Sequence, residues 1–183
     1  FYHDLTQLLG TENVLFFPSA YRRQVKYGQR DAANEILRTE VLSRITNLQH
    51  SASLASSLFI VTCPEALSEL VVSNKHLDDR TISLHVGEEK DIVKIEKAMR
   101  SFGFKEMDYV YEPGQFAVRG SILDVYSYSN EYPYRIDFFG DEIDSIRTFE
   151  VQTQLSKLKV DSMNIVPELA GLESEKISFL KFM

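Results

Sequence analysis

After Gly103 helical periodicity stops and gives way to a series of short strands joined by tight turns. Glu112-Pro113-Gly114 lies between MDYVY and QFAVRG, and Gly140-Asp141-Glu142 lies between YRIDFF and IDSIRTF. Proline fixes one φ and glycine accepts a positive one, so the first sequence suits a tight turn, and the Gly-Asp pair between two alternating runs predicts a second hairpin. The runs are too short for helices, and their alternation of apolar and polar residues is the period of a half-buried antiparallel sheet. Within those strands stand Arg119, Arg135 and Asp137, charges that need either partners or a purpose.

The chain begins with a different pattern. NVLFF (13–17) reads as a short buried strand, and DAANEILRTEVLSRITNLQ as a helix with Ile36, Leu37, Val41, Ile45 and Leu48 near one face and Asp31 at its start. SLFIVTCP is a second buried strand, and PEALSELVV a short helix that Pro64 begins. This alternation belongs to an α/β layer on a parallel sheet, with too few strands to be a whole domain. TISLHV is then a strand, and EEKDIVKIEKAMRSFGF a helix on Ile92, Ile95, Met99 and Phe102. The expected organisation is an incomplete α/β layer at 1–78, an inserted α+β domain with an antiparallel sheet at 79–157, entered through the polar NKHLDDR, and a segment at 158–183 that returns to the first layer through the apolar run MNIVP.

Composition removes several classes of function. The formal charge is −7, from 20 basic and 27 acidic residues, and residues 79–157 hold 10 of the basic against 15 of the acidic ones. That balance disfavours DNA binding through bulk charge. No apolar run approaches the roughly 20 residues that span a bilayer. With no signal peptide and a lone cysteine, Cys63, a cytoplasmic setting is expected. Phe at position 1 points to a piece of a longer or processed protein. Neither GxxxxGK[ST] nor GxGxxG occurs, so no phosphate cradle is expected within the chain and no cofactor is assigned to it. His3, His50, His76 and His85 are scattered singly, which argues against a zinc site.

Alternation along YRIDFF sends Tyr134, Ile136 and Phe138 inward and Arg135, Asp137 and Phe139 to the opposite face; the same rule buries Phe116 and Val118 and turns Ala117 and Arg119 outward. Gly120 invites a bulge or bend that leaves the facing of Ile122 and beyond open. Two readings of the charged face stand side by side. Cross-strand Arg–Asp pairs decorate a half-wet sheet and contribute about 0.2–1 kcal/mol, or an exposed Phe beside Arg marks a protein-binding face. A third, phosphate binding, is weakened by the acidic surroundings.

YEPGQFAVRGSILDVYS, YPYRIDFFGDEIDSIRTFEVQTQLS and NIVPE strongly resemble the N-terminal module shared by bacterial transcription-repair coupling factors and the excision-repair helicase UvrB. The likeness is dense from Ile92 to Glu168 and looser from Phe1 to Thr81. SAYRRQVKYGQRD and TCPEALSEL stand where UvrB has a tyrosine-rich hairpin and an IYGLG motif, and EVQTQLSKLKVDSMNIVPE is similar to the coupling-factor continuation. The resemblance implies an incomplete nucleotide-binding-like layer, an inserted domain that binds the repair protein UvrA, and a returning piece of the layer. It places the family's UvrA-contacting arginine of the V-R-G turn on Arg119, and the Arg and acidic residue of the R-I/V-E-F-F-G strand on Arg135 and Asp137. A second family arginine falls on Ala117, and an upstream basic contact falls on Glu106, beside Lys105.

The expected partner-binding set is therefore Arg119, Arg135, Asp137, Phe139, Lys105 and Phe116. The implied function is a non-catalytic adaptor that recruits UvrA to stalled RNA polymerase. The ATP-dependent DNA translocase and the polymerase-gripping part would lie elsewhere in the full-length protein. The alternatives are a fragment of the UvrB helicase and a DNA-binding module. Truncating either exposed arginine is expected to change stability by no more than about 1 kcal/mol.

Overall fold

A computed structural model describes residues 1–21, 31–50, 57–170 and 176–183. The chain divides into two compact units, one made of Phe1–Asp79 with Leu169–Met183 and the other of Arg80–Glu168. Among the described residues no helix is long and apolar enough to cross a membrane.

The first unit opens with α1 (Tyr2–Leu9), β1 (Val14–Phe17), α2 (Ala32–His50) and β2 (Phe59–Thr62). β1 and β2 pair in parallel, Val14 with Phe59 through Phe17 with Thr62, as the strand–helix–strand pattern predicts. The Asp31 carboxylate accepts from the backbone N–H of Ala33 at 2.9 Å and caps α2. Phe59, at the start of β2, is exposed where a buried strand is expected. PEALSELVV splits: α3 (Pro64–Ser68) ends at Glu69, and Leu70–Val72 form β3. A partner distant in sequence decides this outcome, because β3 pairs with a strand near the C-terminus, Lys176–Ser178. α4 (Asn74–Asp78) comes next with Leu77 buried, so NKHLDDR is a short helix and not merely a polar link.

The second unit contains β4 (Ile82–His85), α5 (Ile92–Ser101), β5 (Lys105–Glu106), β6 (Gln115–Arg119), β7 (Ile122–Val125), β8 (Tyr134–Phe139), β9 (Glu142–Phe149), β10 (Ser156–Val160) and β11 (Ser162–Ile165). Six strands form one mixed sheet in the order β10-β9-β8-β7-β6-β5, antiparallel except for β5 with β6. Its inner face joins Phe116, Leu123, Val125, Ile136, Phe138, Ile143 and Ile146 to Ile95 and Met99 of α5 and to Leu84 of β4 in one core. α5 begins at Asp91, whose side chain accepts from Val93 N–H, and its buried Ile95 and Met99 fit the predicted apolar spacing.

Two expectations change in this unit. MDYVY is not a strand: the Gln115 carboxamide oxygen accepts the N–H groups of Tyr111 and Glu112, and Val110 is buried against Ala117 and Phe149 on the outer face of the sheet. The hairpin partner of β6 is instead β7, joined through Gly120 and Ser121, where φ of +63° at Gly120 makes a turn and not a bulge. MNIVP, expected to lead back to the first unit, lies in β11 and beyond it. β11 pairs with β4, and Met163 and Ile165 belong to the core of the second unit. Residues 158–168 therefore pack in the second unit, and the return begins at Leu169 and not at 158.

The return supplies β12 (Lys176–Ser178), antiparallel to β3, and α6 (Phe179–Phe182). Phe179 stacks on Phe17 with ring centroids 4.0 Å apart, which fixes this segment in the core of the first unit.

Candidate protein-binding face

Regular alternation along β7 puts Leu123 and Val125 into the core and Asp124 on the outer face, between β6 and β8. Asp124 pairs in register with Ala117 on one side and Arg135 on the other. Its carboxylate is fully buried, at 0% exposure. Arg135 meets it in a bidentate fork, Nε to Oδ1 at 2.8 Å and Nη2 to Oδ2 at 2.9 Å. Arg119 reaches the same Oδ2 from β6. One acid thus holds the arginines of two strands that do not touch each other.

Each arginine has further restraints. Arg119 Nη1 donates to the Asp108 carbonyl at 2.9 Å, and its guanidinium lies 5.3 Å from the Tyr109 ring centroid. Arg135 Nη1 donates to the Gln154 carbonyl at 3.2 Å, and its guanidinium lies 4.7 Å from the centroid of Phe149. Hydrogen bonding to Asp124 holds the Arg135 guanidinium above its ordinary range, against the opposing pull of burial. The two differ in access to solvent: 17% of the Arg135 side chain is exposed and 37% of Arg119.

A second pair continues the face. Asp137 accepts from Arg147 on β9 and from the Ser145 hydroxyl at 3.0 Å. Arg147 stands opposite Arg135 on one side and Lys159 of β10 on the other, so three cations face one another across three strands. Like charges directly opposite destabilise a sheet.

The structure separates the expected set. Arg119, Arg135 and Asp137 share the outer face with Asp124 and Arg147. Phe139 closes β8 at 82% exposure, next to the turn. Lys105 is exposed, and pairing of β5 with β6 sets it beside Gln115, on the outer side. Phe116 does not belong: it is 0% exposed, inside the core, because it alternates with the outward Ala117. Ala117 faces outward as expected yet is covered by the Val110 loop. Glu106, where the resemblance has a basic residue, is turned the other way and pairs with Arg100 at 2.7 Å. The stretch 22–30, which helps separate the two branches of the resemblance, lies outside the described residues.

Asp124 and Arg147 escaped the sequence reading. The signal for Asp124 was present in Ile122-Leu123-Asp124-Val125, where an acid flanked by two inward apolar residues must face the other way. Arg147 carries a weaker form of that signal, with apolar Ile146 on one side and polar Thr148 on the other.

Comparison with known proteins finds a match of residues 82–170 to the family described as the UvrB interaction domain. The chain is similar to the transcription-repair-coupling factor of Haemophilus influenzae, 30% identical over 87% of this chain and 13% of that protein. It is likewise similar to the transcription-repair-coupling factors of Escherichia coli K12, 31% identical over 69% of this chain and 11% of that protein, and of Staphylococcus aureus RF122, 33% identical over 95% and 14%. The chain therefore spans only 11–14% of the length of these relatives.

Proposed function

The chain belongs, through residues 82–170, to the UvrB interaction domain family, and from that premise we propose that the outer face of its six-stranded sheet binds UvrA. The observation that carries this reading is the charge row. Arg119, Arg135, Arg147 and Lys159 share the face with Asp124 and Asp137, and with Glu142 opposite Phe139 at its end, although the chain as a whole carries −7. A sheet that tolerates opposed cations gains when a partner brings carboxylates to them. Exposed Phe139 supplies an apolar anchor beside that row.

In this reading the chain is an adaptor module of a transcription-repair coupling factor that recruits excision repair to stalled RNA polymerase in the cytoplasm. Contact with polymerase and ATP-driven movement on DNA belong to other parts of the full-length protein. The parallel pair β1–β2 with α2 is read as the remnant of a nucleotide-binding layer. No GxxxxGK[ST] motif occurs in the sequence, and in this reading the chain neither binds nor hydrolyses ATP.

Calorimetric titration with purified UvrA tests the proposal. Arg119→Ala or Arg135→Ala is expected to weaken binding by at least about 1–2 kcal/mol, the usual loss for a central interface arginine. Arg135→Glu weakens it further through repulsion of the partner's acids. Unchanged affinity in all three variants refutes the assignment, and salt-steep affinity for DNA without UvrA supports a DNA-binding module instead.

A further inference from the structure

We propose that Asp124 is the positioning residue of this face: a buried carboxylate that orders Arg119 and Arg135 for the partner before it arrives. The inference rests on the reading of the face as a UvrA site, but names a residue that need not touch UvrA.

Asp124 has no access to solvent, and the apolar cluster of Val110, Ala117 and Phe149 lies on the same side of the sheet. An ionised carboxylate in such a place must be matched by donors. One bidentate arginine would serve; the protein uses two, from strands on either side. The consequence lies in the donors left over. Arg135 commits three of its five N–H groups, two to Asp124 and one to the Gln154 carbonyl; Arg119 commits two, to Asp124 and the Asp108 carbonyl. Both guanidinium groups are therefore fixed in plane and direction while keeping N–H groups uncommitted. A free arginine loses rotamer freedom when it binds, and ordering it beforehand removes that cost. For two arginines the gain corresponds to about ten- to hundredfold in affinity. Neutralising Asp124 would release both at once, an effect that no single arginine substitution reproduces.

The test uses Asp124→Asn, which keeps the shape and removes the charge, with two readouts. The first is UvrA affinity by calorimetry at low temperature, in a variant whose backbone amide spectrum is native. The second is hydrogen exchange of the Arg135 Nε–H in the unbound chain. The expected results are a ten- to hundredfold weaker affinity and a protected Nε–H in the wild type that becomes unprotected in the variant. If Arg119→Ala and Arg135→Ala weaken binding but a folded Asp124→Asn binds like wild type, Asp124 is only structural; the proposal fails and the site stands. If the two arginine variants bind like wild type, the site itself fails and the proposal with it. Should Asp124→Asn not fold, Asp124→Ser is measured in its place with the same outcomes. In either case an Arg135 Nε–H that exchanges in the unbound wild type as fast as that of free arginine overturns the proposal.

Discussion

Truncation of the two arginines is expected to have very different effects on folding, although they contact the same acid. Arg135→Ala removes a bidentate pair to a fully buried carboxylate and the contact over Phe149. Breaking a buried ion pair costs about 3–5 kcal/mol because the remaining charge is stranded. Arg119 still reaches Asp124, which recovers part of that loss. The net expectation is about 2–4 kcal/mol. Arg119→Ala leaves the bidentate fork intact and removes a side chain that is 37% exposed, so about 0.5–1 kcal/mol is expected after solvent screening. For a unit of the size of Arg80–Glu168, 1 kcal/mol shifts Tm by about 4–8 °C. Arg135→Ala should therefore lower Tm by about 10–30 °C, and Arg119→Ala by only a few degrees. Urea and thermal unfolding followed by circular dichroism provide the measurement, since the chain has no tryptophan. Equal effects from the two variants, or a loss below about 0.5 kcal/mol for Arg135→Ala, would refute the account of Asp124 as a buried hub.

Three further outcomes are expected. Phe116→Ala should cost about 3–5 kcal/mol in urea unfolding as a core truncation, whereas Phe139→Ala should stay within about 0.5 kcal/mol and act on UvrA binding. Gly114→Ala should destabilise by about 1–3 kcal/mol in the same assay, because φ is +84° and a Cβ would stand 2.7 Å from the Tyr128 hydroxyl oxygen. Burial, with nearby acids, raises the hydroxyls of Tyr126 and Tyr128 above their ordinary value of 10.0. A raised folded-state value favours the protonated form, so the stabilisation is complete below about pH 10 and lost as pH rises through the raised values. Tyrosinate absorbance in the near ultraviolet should show these two ionising late, together with falling stability of the second unit.

Much of this architecture was legible in local sequence, and the parts that were not share a cause. Asp31, the spacing of Ile95 and Met99, and the Gly140-Asp141 turn each announce their element because the signal lies within a few residues. Val71 and Val72 look helical beside Pro64 and become a strand only because Lys176–Ser178 pairs with them from the other end of the chain. MNIVP likewise finds β4, far earlier in the chain, a choice that local pattern does not encode. On the candidate face, alternation places Arg119, Arg135 and Asp137 outward. What alternation cannot supply is strand order. Arg119 and Arg135 are linked because β7 lies between their strands, and the pairing that makes Asp124 their common partner is tertiary. Phe116 adjoins the outward Ala117 in sequence, and its strand period sends it to the core.

The most direct test of the central claim is the affinity of UvrA for the wild-type chain and for Arg119→Ala, measured by calorimetry at a temperature where both are fully folded. Arg119 is the arginine whose loss should leave the fold almost unchanged, so its effect on binding is read without correction for unfolding. The account predicts that wild type binds UvrA and that Arg119→Ala binds at least about five- to thirtyfold more weakly with a Tm within a few degrees of wild type. Wild-type affinity in a folded Arg119→Ala would contradict it, leaving the charges of this sheet as structural pairs and the UvrA site elsewhere.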